Sequence, residues 1–187
     1  MRQVISIRDA TGEDTNLLAK LIREAFSDVA IRFSLTAENC PRHPSNCTTA
    51  WVGSDLARGV RYFIVEQGDE LYGCVGLEQA DSHCFYLERL AVLPGRRKQG
   101  FGTLLVARAL SYAEESGASW VNIGIIDADT ELKQWYTRLG FVEVEKKNFH
   151  QLPFRVCFMK LNLNDFADEA LQHTLTCRNA ESLREPP

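Results

Sequence analysis

The sequence predicts an α/β fold made of one domain and a C-terminal extension. Strand-like and helix-like runs alternate, three consecutive strands indicate an antiparallel meander, and a Gly-rich basic loop joins a strand to a helix. The predicted order is β-α-α-β-β-β-α-β-α-β-β. We place the domain at residues 1–163 and the extension at residues 164–187, since 187 residues is the size of one ordinary domain with a short appendage.

The first elements are a strand at residues 4–7 and an amphipathic helix. Thr11-Gly-Glu-Asp14 has the Thr-x-x-Asp spacing of a helix start. Apolar residues then recur at helical spacing and predict one buried face: Leu17, Leu18, Leu21, Ile22, Ala25 and Phe26. An irregular segment at 34–48 precedes a second helix at 49–58, and Gly59 is suited to end it.

A hairpin and a third strand follow. Two β-rich runs, 61–66 and 71–78, flank a Gly-containing turn, and residues 83–92 extend the meander. Gly73 and Gly76 inside a strand indicate a bulge or a close backbone neighbour.

The second half alternates between helices and strands. The Gly-rich basic segment Arg96–Gly102 leads into a helix that Gly117 ends. The remaining predicted elements are a strand at 120–126, a helix at 131–139, strands at 141–146 and 154–161, and a helix at 166–174 in the extension.

Composition narrows the class of protein. Lys and Arg total 21, Asp and Glu total 25, the net charge is −4 and 45% of residues are apolar. These values are typical of a soluble globular domain and do not favour a dedicated nucleic-acid binder. No run approaches the ~18 apolar residues of a membrane span, and the start of the chain lacks a secretory pattern. We expect a cytoplasmic protein that binds neither nucleic acid nor membrane.

The six cysteines are scattered without a C-x-x-C pair, so we expect reduced thiols and no metal site.

The strand, loop and helix start at residues 85–106 have a chemical signature. Gly100 and Gly102 let the backbone approach a ligand closely, and the Arg-Arg-Lys run at 96–98 adds positive charge. A helix start also presents unpaired N–H groups. The pattern fits a phosphate-bearing ligand, although a plain turn with a solvated basic rim would have the same composition. It is neither a Walker A loop nor G-x-G-x-x-G.

Two motifs together resemble those of the GNAT N-acetyltransferase superfamily. Arg97-x-x-Gly100-x-Gly102, after the strand ending Leu90-Ala91-Val92, resembles the acetyl-CoA signature of that family. Trp135-Tyr136-Thr-Arg-Leu-Gly140-Phe141 looks like its aromatic-Tyr-x-x-Leu-Gly-Phe element. The resemblance covers roughly residues 4–161. It implies a GNAT-like fold, with a mixed, mostly antiparallel twisted sheet flanked by helices.

The resemblance also implies acetyl-CoA as cofactor and CoA as product. Backbone groups at the end of the strand would pair with the pantetheine arm, and main-chain N–H groups of the loop and helix start would hold the pyrophosphate. Arg96 or Lys98 could meet the adenosine-side phosphate. The cofactor-binding residues are then Leu90, Ala91, Val92, Arg97, Lys98, Gln99, Gly100, Phe101, Gly102, Thr103 and Tyr136.

Direct transfer to an amine needs a group that takes a proton and one that gives a proton. Tyr136 matches the family's general acid, with a simply packed aromatic residue as the alternative. Glu88 is the leading general base because its apolar neighbours would raise its pKa; it could instead point outward and pair with Arg89 or Arg61. Glu78 on the adjacent strand is the second candidate, and an amine of low pKa would need neither.

The predicted function is N-acetyl transfer to a small-molecule or protein amine, and the protein would be a homodimer if it follows many family members. A non-catalytic acyl-CoA-binding regulatory module and a transferase of a longer acyl group are the alternatives. Arg42, His43 and Trp51 are acceptor-site candidates, because the region between the first helices commonly borders that pocket in the family. The chain carries Asp129 and Leu132 where members often carry Asn and Ala.

Overall fold

Seven strands form one sheet flanked by helices in the computed structural model, which describes residues 4–68 and 70–166. The strands are β1 (Ile5–Asp9), β2 (Arg61–Gln67), β3 (Glu70–Gln79), β4 (Cys84–Val92), β5 (Trp120–Ile126), β6 (Val142–Asn148) and β7 (Arg155–Asn162). The helices are α1 (Thr15–Arg32), α2 (Thr49–Ala57), α3 (Phe101–Glu115), α4 (Thr130–Arg138) and the short α5 (Leu163–Phe166).

The strand order across the sheet is β1-β2-β3-β4-β5-β7-β6. Every neighbouring pair is antiparallel except β4 and β5, which are parallel and joined by the crossover helix α3. The predicted mixed, mostly antiparallel sheet and the predicted element order are confirmed.

Helices pack on both faces of the sheet. On the face that we call the α1 face, α1 and α2 pack against alternate residues of β2 and β3, such as Tyr62, Ile64 and Cys74. On the opposite face, the α3 face, α3 packs against Phe63, Val65 and Val75 and against β5. Alternation of side chains along each strand produces these two cores.

The boundaries follow the predicted signals, with a few differences. Thr11 and Asp14 form a reciprocal capping box on a 3-10 turn that leads into α1. The helix then continues to Arg32, past the predicted apolar run, and Leu17 is 51% exposed rather than buried. Gly117 and Gly140 have positive φ values at the helix ends that they were predicted to form.

The predicted helix at 166–174 and nearly all of the extension at 164–187 lie outside the described residues. Within the described residues, no helix is both long and apolar enough to cross a membrane.

Candidate active site

A gap opens between β4 and β5. Residues 84–86 pair with residues 120–122, while β4 continues to Val92 and β5 continues to Ile126. Beyond that point each strand keeps its other neighbour, β3 or β7. In the part of the chain that is described, the facing edges therefore lack a strand partner, and an extended ligand can pair with their N–H and C=O groups. The gap contains the predicted pantetheine-binding strand end.

A β-bulge in β4 coincides with the gap. Three residues of β3, 74–76, oppose four residues of β4, 88–91. Arg89, inside the bulge, has a φ of 48°, which is uncommon for a residue other than glycine. A Cβ atom at Gly73 would lie 2.6 Å from the carbonyl oxygen of Ala91, so glycine is needed for this close approach. The prediction from the two strand glycines is confirmed.

A buried polar network anchors the bulge, and sequence analysis missed it. The Arg89 guanidinium contacts the Asp55 carboxylate of α2 and the Tyr62 hydroxyl of β2. The Asp55 carboxylate also accepts a hydrogen bond from the Tyr62 hydroxyl at 2.9 Å and one from Arg58 at 2.6 Å. The Asp55 and Arg89 side chains are only 5% and 19% exposed. Charges this enclosed are costly unless paired, so these contacts hold Arg89 in its unusual conformation.

The loop after β4 presents a row of backbone N–H groups. Lys98 and Gly100 have φ values of 60° and 88°, and α3 starts immediately after them. Across the described ranges, five N–H groups here have no protein acceptor: those of Lys98, Gly100, Phe101, Gly102 and Thr103. Such a row at the start of a fifteen-residue helix fits an anion such as a diphosphate.

The Arg97 side chain braces this loop through protein contacts. Its guanidinium donates to the Asp28 carboxylate of α1 at 2.5 Å and to the Val92 carbonyl at 3.1 Å. Its main-chain N–H donates to the Pro94 carbonyl at 3.3 Å. The resemblance places the Arg97 amide among the groups that hold the pyrophosphate, and that assignment stays a prediction. The side chain instead ties the end of β4 to α1.

The other basic side chains divide between structure and solvent. Arg96 lies 4.1 Å from the ring centre of Tyr72 and donates to Glu70 at 3.1 Å. The Gln99 side chain donates to the Gly95 carbonyl at 3.1 Å. Lys98 forms no ion pair with any described residue, so of the run 96–98 it is the cation available to a phosphate. Leu90 and Val92 pack toward the α3 face, and Ala91 is buried on the α1 face.

Tyr136 lies on α4 beside the start of α3. Its ring centre is 4.8 Å from that of Trp135 and 5.3 Å from that of Phe141. A Cβ atom at Gly102 would lie 3.4 Å from the Trp135 ring, so the two helices meet here. Burial raises the pKa of Tyr136, which keeps the phenol protonated at neutral pH. No described residue forms a hydrogen bond with the Tyr136 hydroxyl. Every fully buried side-chain oxygen among the described residues has a hydrogen-bond partner, so the Tyr136 oxygen is not fully buried and can be reached from outside.

The two candidate bases differ in their surroundings. Glu88 is partly buried on the α1 face at the start of the bulge, and burial together with the Glu78 charge raises its pKa. It pairs with neither Arg89 nor Arg61. Glu78 instead accepts a hydrogen bond from Arg58 at 2.8 Å. An unpaired carboxylate with a raised pKa suits proton abstraction, so Glu88 stays the leading candidate.

Asp129 has a role that its sequence position did not reveal. It caps α4 by accepting from the Leu132 N–H at 3.2 Å, and its carboxylate also pairs with Arg32 at the end of α1. The residue that replaces the family's frequent Asn therefore links α1 to the helix that carries Tyr136.

Protein contacts account for His43 and for the one group of possible metal ligands found among the described residues. His43 Nδ1 bonds to Ser45, and burial lowers the pKa of His43, so the ring is neutral. Asp127, Glu143 and Cys157 bring their ligand atoms within 4.8 Å of one another. However, Lys133, Lys146 and Arg155 all donate to Asp127 at 2.5 to 3.1 Å. These cations already neutralise the carboxylates, which disfavours a metal there.

The model of the acetyltransferase (GNAT) family matches residues 18–141 of the chain. The chain belongs to this family. That range contains both sequence motifs, the bulged strand and the helix that carries Tyr136.

Individual relatives agree with this assignment. An uncharacterised N-acetyltransferase of Chlorobaculum tepidum is 23% identical over 151 residues, which are 81% of this chain and 84% of that protein. The chain shares its fold with an N-acetyltransferase of Thermoplasma acidophilum solved with coenzyme A, with a TM-score of 0.72, 16% identity and coverage of 85% and 99% of the two chains. A GNAT family acetyltransferase from Elizabethkingia anophelis solved with acetyl-CoA bound has a TM-score of 0.62 and 15% identity. The match covers 84% of this chain and 97% of that chain.

Proposed function

We propose that the chain transfers an acetyl group directly from acetyl-CoA to the amine of a small molecule or a protein. The observation that carries this proposal is the row of five N–H groups without acceptors at the start of α3, next to the open edge of β4. A diphosphate followed by an extended arm rich in amides matches these two features in charge and in hydrogen-bonding capacity. When bound, acetyl-CoA supplies the thioester carbonyl that the amine attacks and the thiolate that leaves.

In this mechanism Glu88 accepts the proton of the amine, because its raised pKa suits a base that works near neutral pH. Tyr136 donates a proton to the leaving sulfur, since burial keeps its phenol in the protonated form. The open edge of β4 offers N–H donors for the negative charge that develops on the carbonyl oxygen.

Calorimetric titration with CoA tests binding, and thiol release from acetyl-CoA across an amine panel tests transfer. Tyr136→Phe removes only the hydroxyl, so we expect kcat to fall by about 100-fold or more while the Kd for CoA is unchanged. Tyr112→Phe, on α3, is the matched control and should behave as wild type. Absence of CoA binding would refute the proposal, and an unchanged kcat would remove Tyr136 from the acid role.

A further inference from the structure

Glu88 and Gly124 face each other across the gap. Tyr86 pairs with Asn122 at the last rung before the strands separate, and paired residues of neighbouring strands point to the same face of a sheet. Two residues further along each strand, Glu88 and Gly124 are therefore level with each other on the α1 face. Gly124 is therefore the β5 residue opposite Glu88 on this face.

The wall beside Gly124 is aromatic. Gly124 pairs with Phe158 of β7, and a Cβ atom on Gly124 would lie 3.4 Å from Cε1 of that ring. Phe149 packs edge-on against Phe158, with ring centres 6.2 Å apart. Both rings are only partly buried, and Gly124 is exposed. Helices α1 and α2 cover β2 to β4 on this face, and the exposed Gly124 marks where that cover ends.

The charges around the gap favour an ammonium group. Glu88 contributes a carboxylate that forms no ion pair with a described residue. The cations beside it have other partners, because Arg89 pairs with Asp55 and Arg58 pairs with Asp55 and Glu78. The Lys160 ammonium lies 4.1 Å from the centre of the Trp120 ring, and the Lys147 ammonium lies 5.5 Å from that of Phe149. Partly buried aromatic rings such as Phe158 favour the packing of an apolar group that the amine carries.

We propose that the acceptor is a primary amine carried on an aromatic or bulky apolar group. The amine is held at Glu88, and the apolar group packs against Phe158 and Phe149. This rests on the acetyltransferase function proposed above and adds the class of substrate. A small polar amine would reach Glu88 but would gain nothing from the two rings.

Thiol release at saturating acetyl-CoA, with 2-phenylethylamine and ethanolamine as acceptors, tests the proposal. We expect kcat/KM to be at least about tenfold higher for 2-phenylethylamine, since apolar contacts in a pocket discriminate by about this factor or more. Phe158→Ala should reduce that ratio by about tenfold and leave the KM for acetyl-CoA unchanged. Phe158→Leu keeps apolar bulk at the position and should retain part of the ratio. Val142→Ala, at an exposed apolar residue of β6, is the matched control and should leave the ratio unchanged.

The outcomes separate this proposal from the one it rests on. If ethanolamine is used at least as well as 2-phenylethylamine, the acceptor class is wrong and the acetyltransferase function stands. An equal loss of activity with both amines in Phe158→Ala would make the ring structural and overturn the proposal. A dimer that dissociates on the same substitution, seen by sedimentation, would assign this surface to a second copy of the chain. No thiol release with any amine, together with no CoA binding, would refute the function itself.

Discussion

Gly73→Ala perturbs the contact that holds β3 against the bulged end of β4. The added Cβ would lie 2.6 Å from the Ala91 oxygen, 3.1 Å from Cδ1 of Leu105 and 3.2 Å from Cγ2 of Val92. A favourable non-bonded contact needs ~3.5 Å, so one strand must move by nearly 1 Å. The closest atom is a backbone oxygen, and a change of side-chain rotamer cannot relieve the clash. We expect the free energy of unfolding to fall by ~1–3 kcal/mol.

The displaced atoms belong to the edge that we propose binds acetyl-CoA. If about 1 kcal/mol of that strain is felt in binding, the KM for acetyl-CoA should rise about fivefold. Urea unfolding followed by circular dichroism measures the first effect, and thiol-release kinetics measure the second. Gly53→Ala is the matched control, because Gly53 is inside α2 and nothing lies within 4 Å of the added Cβ. Its free energy of unfolding should rise by up to ~1 kcal/mol. Wild-type stability and KM for Gly73→Ala would refute the reasoning.

Two further sets of substitutions test the site. Glu88→Gln should flatten the acidic limb of the pH–rate profile, because the basic carboxylate is lost as pH falls through its raised pKa. Glu78→Gln removes a neighbouring negative charge and should move that limb to lower pH; an unmoved limb in both variants would exclude Glu88 as the base. Arg89→Met leaves Asp55 buried with one cation fewer and should cost roughly 3 kcal/mol in urea unfolding. Arg61→Met, at an exposed ion pair, should cost under about 1 kcal/mol, and equal costs would argue against the buried network.

Local sequence patterns predicted the element order, most boundaries and the family. Helix starts and ends depend on capping residues such as Thr11 and on glycines such as Gly140, and both signals lie within a few residues of the boundary that they define. The loop at residues 97–103 was recognisable for the same reason. The spacing of glycines determines the backbone conformation of a strand-to-helix turn. The first N–H groups of the helix have no intrahelical acceptor, so their position is known once the helix start is known.

Only the tertiary structure decided which distant residues the side chains of the candidate site contact. The Arg97 side chain pairs with Asp28, 69 residues away. Arg89 joins an acid on α2, and Phe158 comes level with Gly124 because β7 pairs with β5. None of these contacts corresponds to a recognisable spacing of residues in the sequence. Local patterns specify backbone geometry within a turn or two, whereas the partners of a long charged or aromatic side chain depend on how distant elements pack.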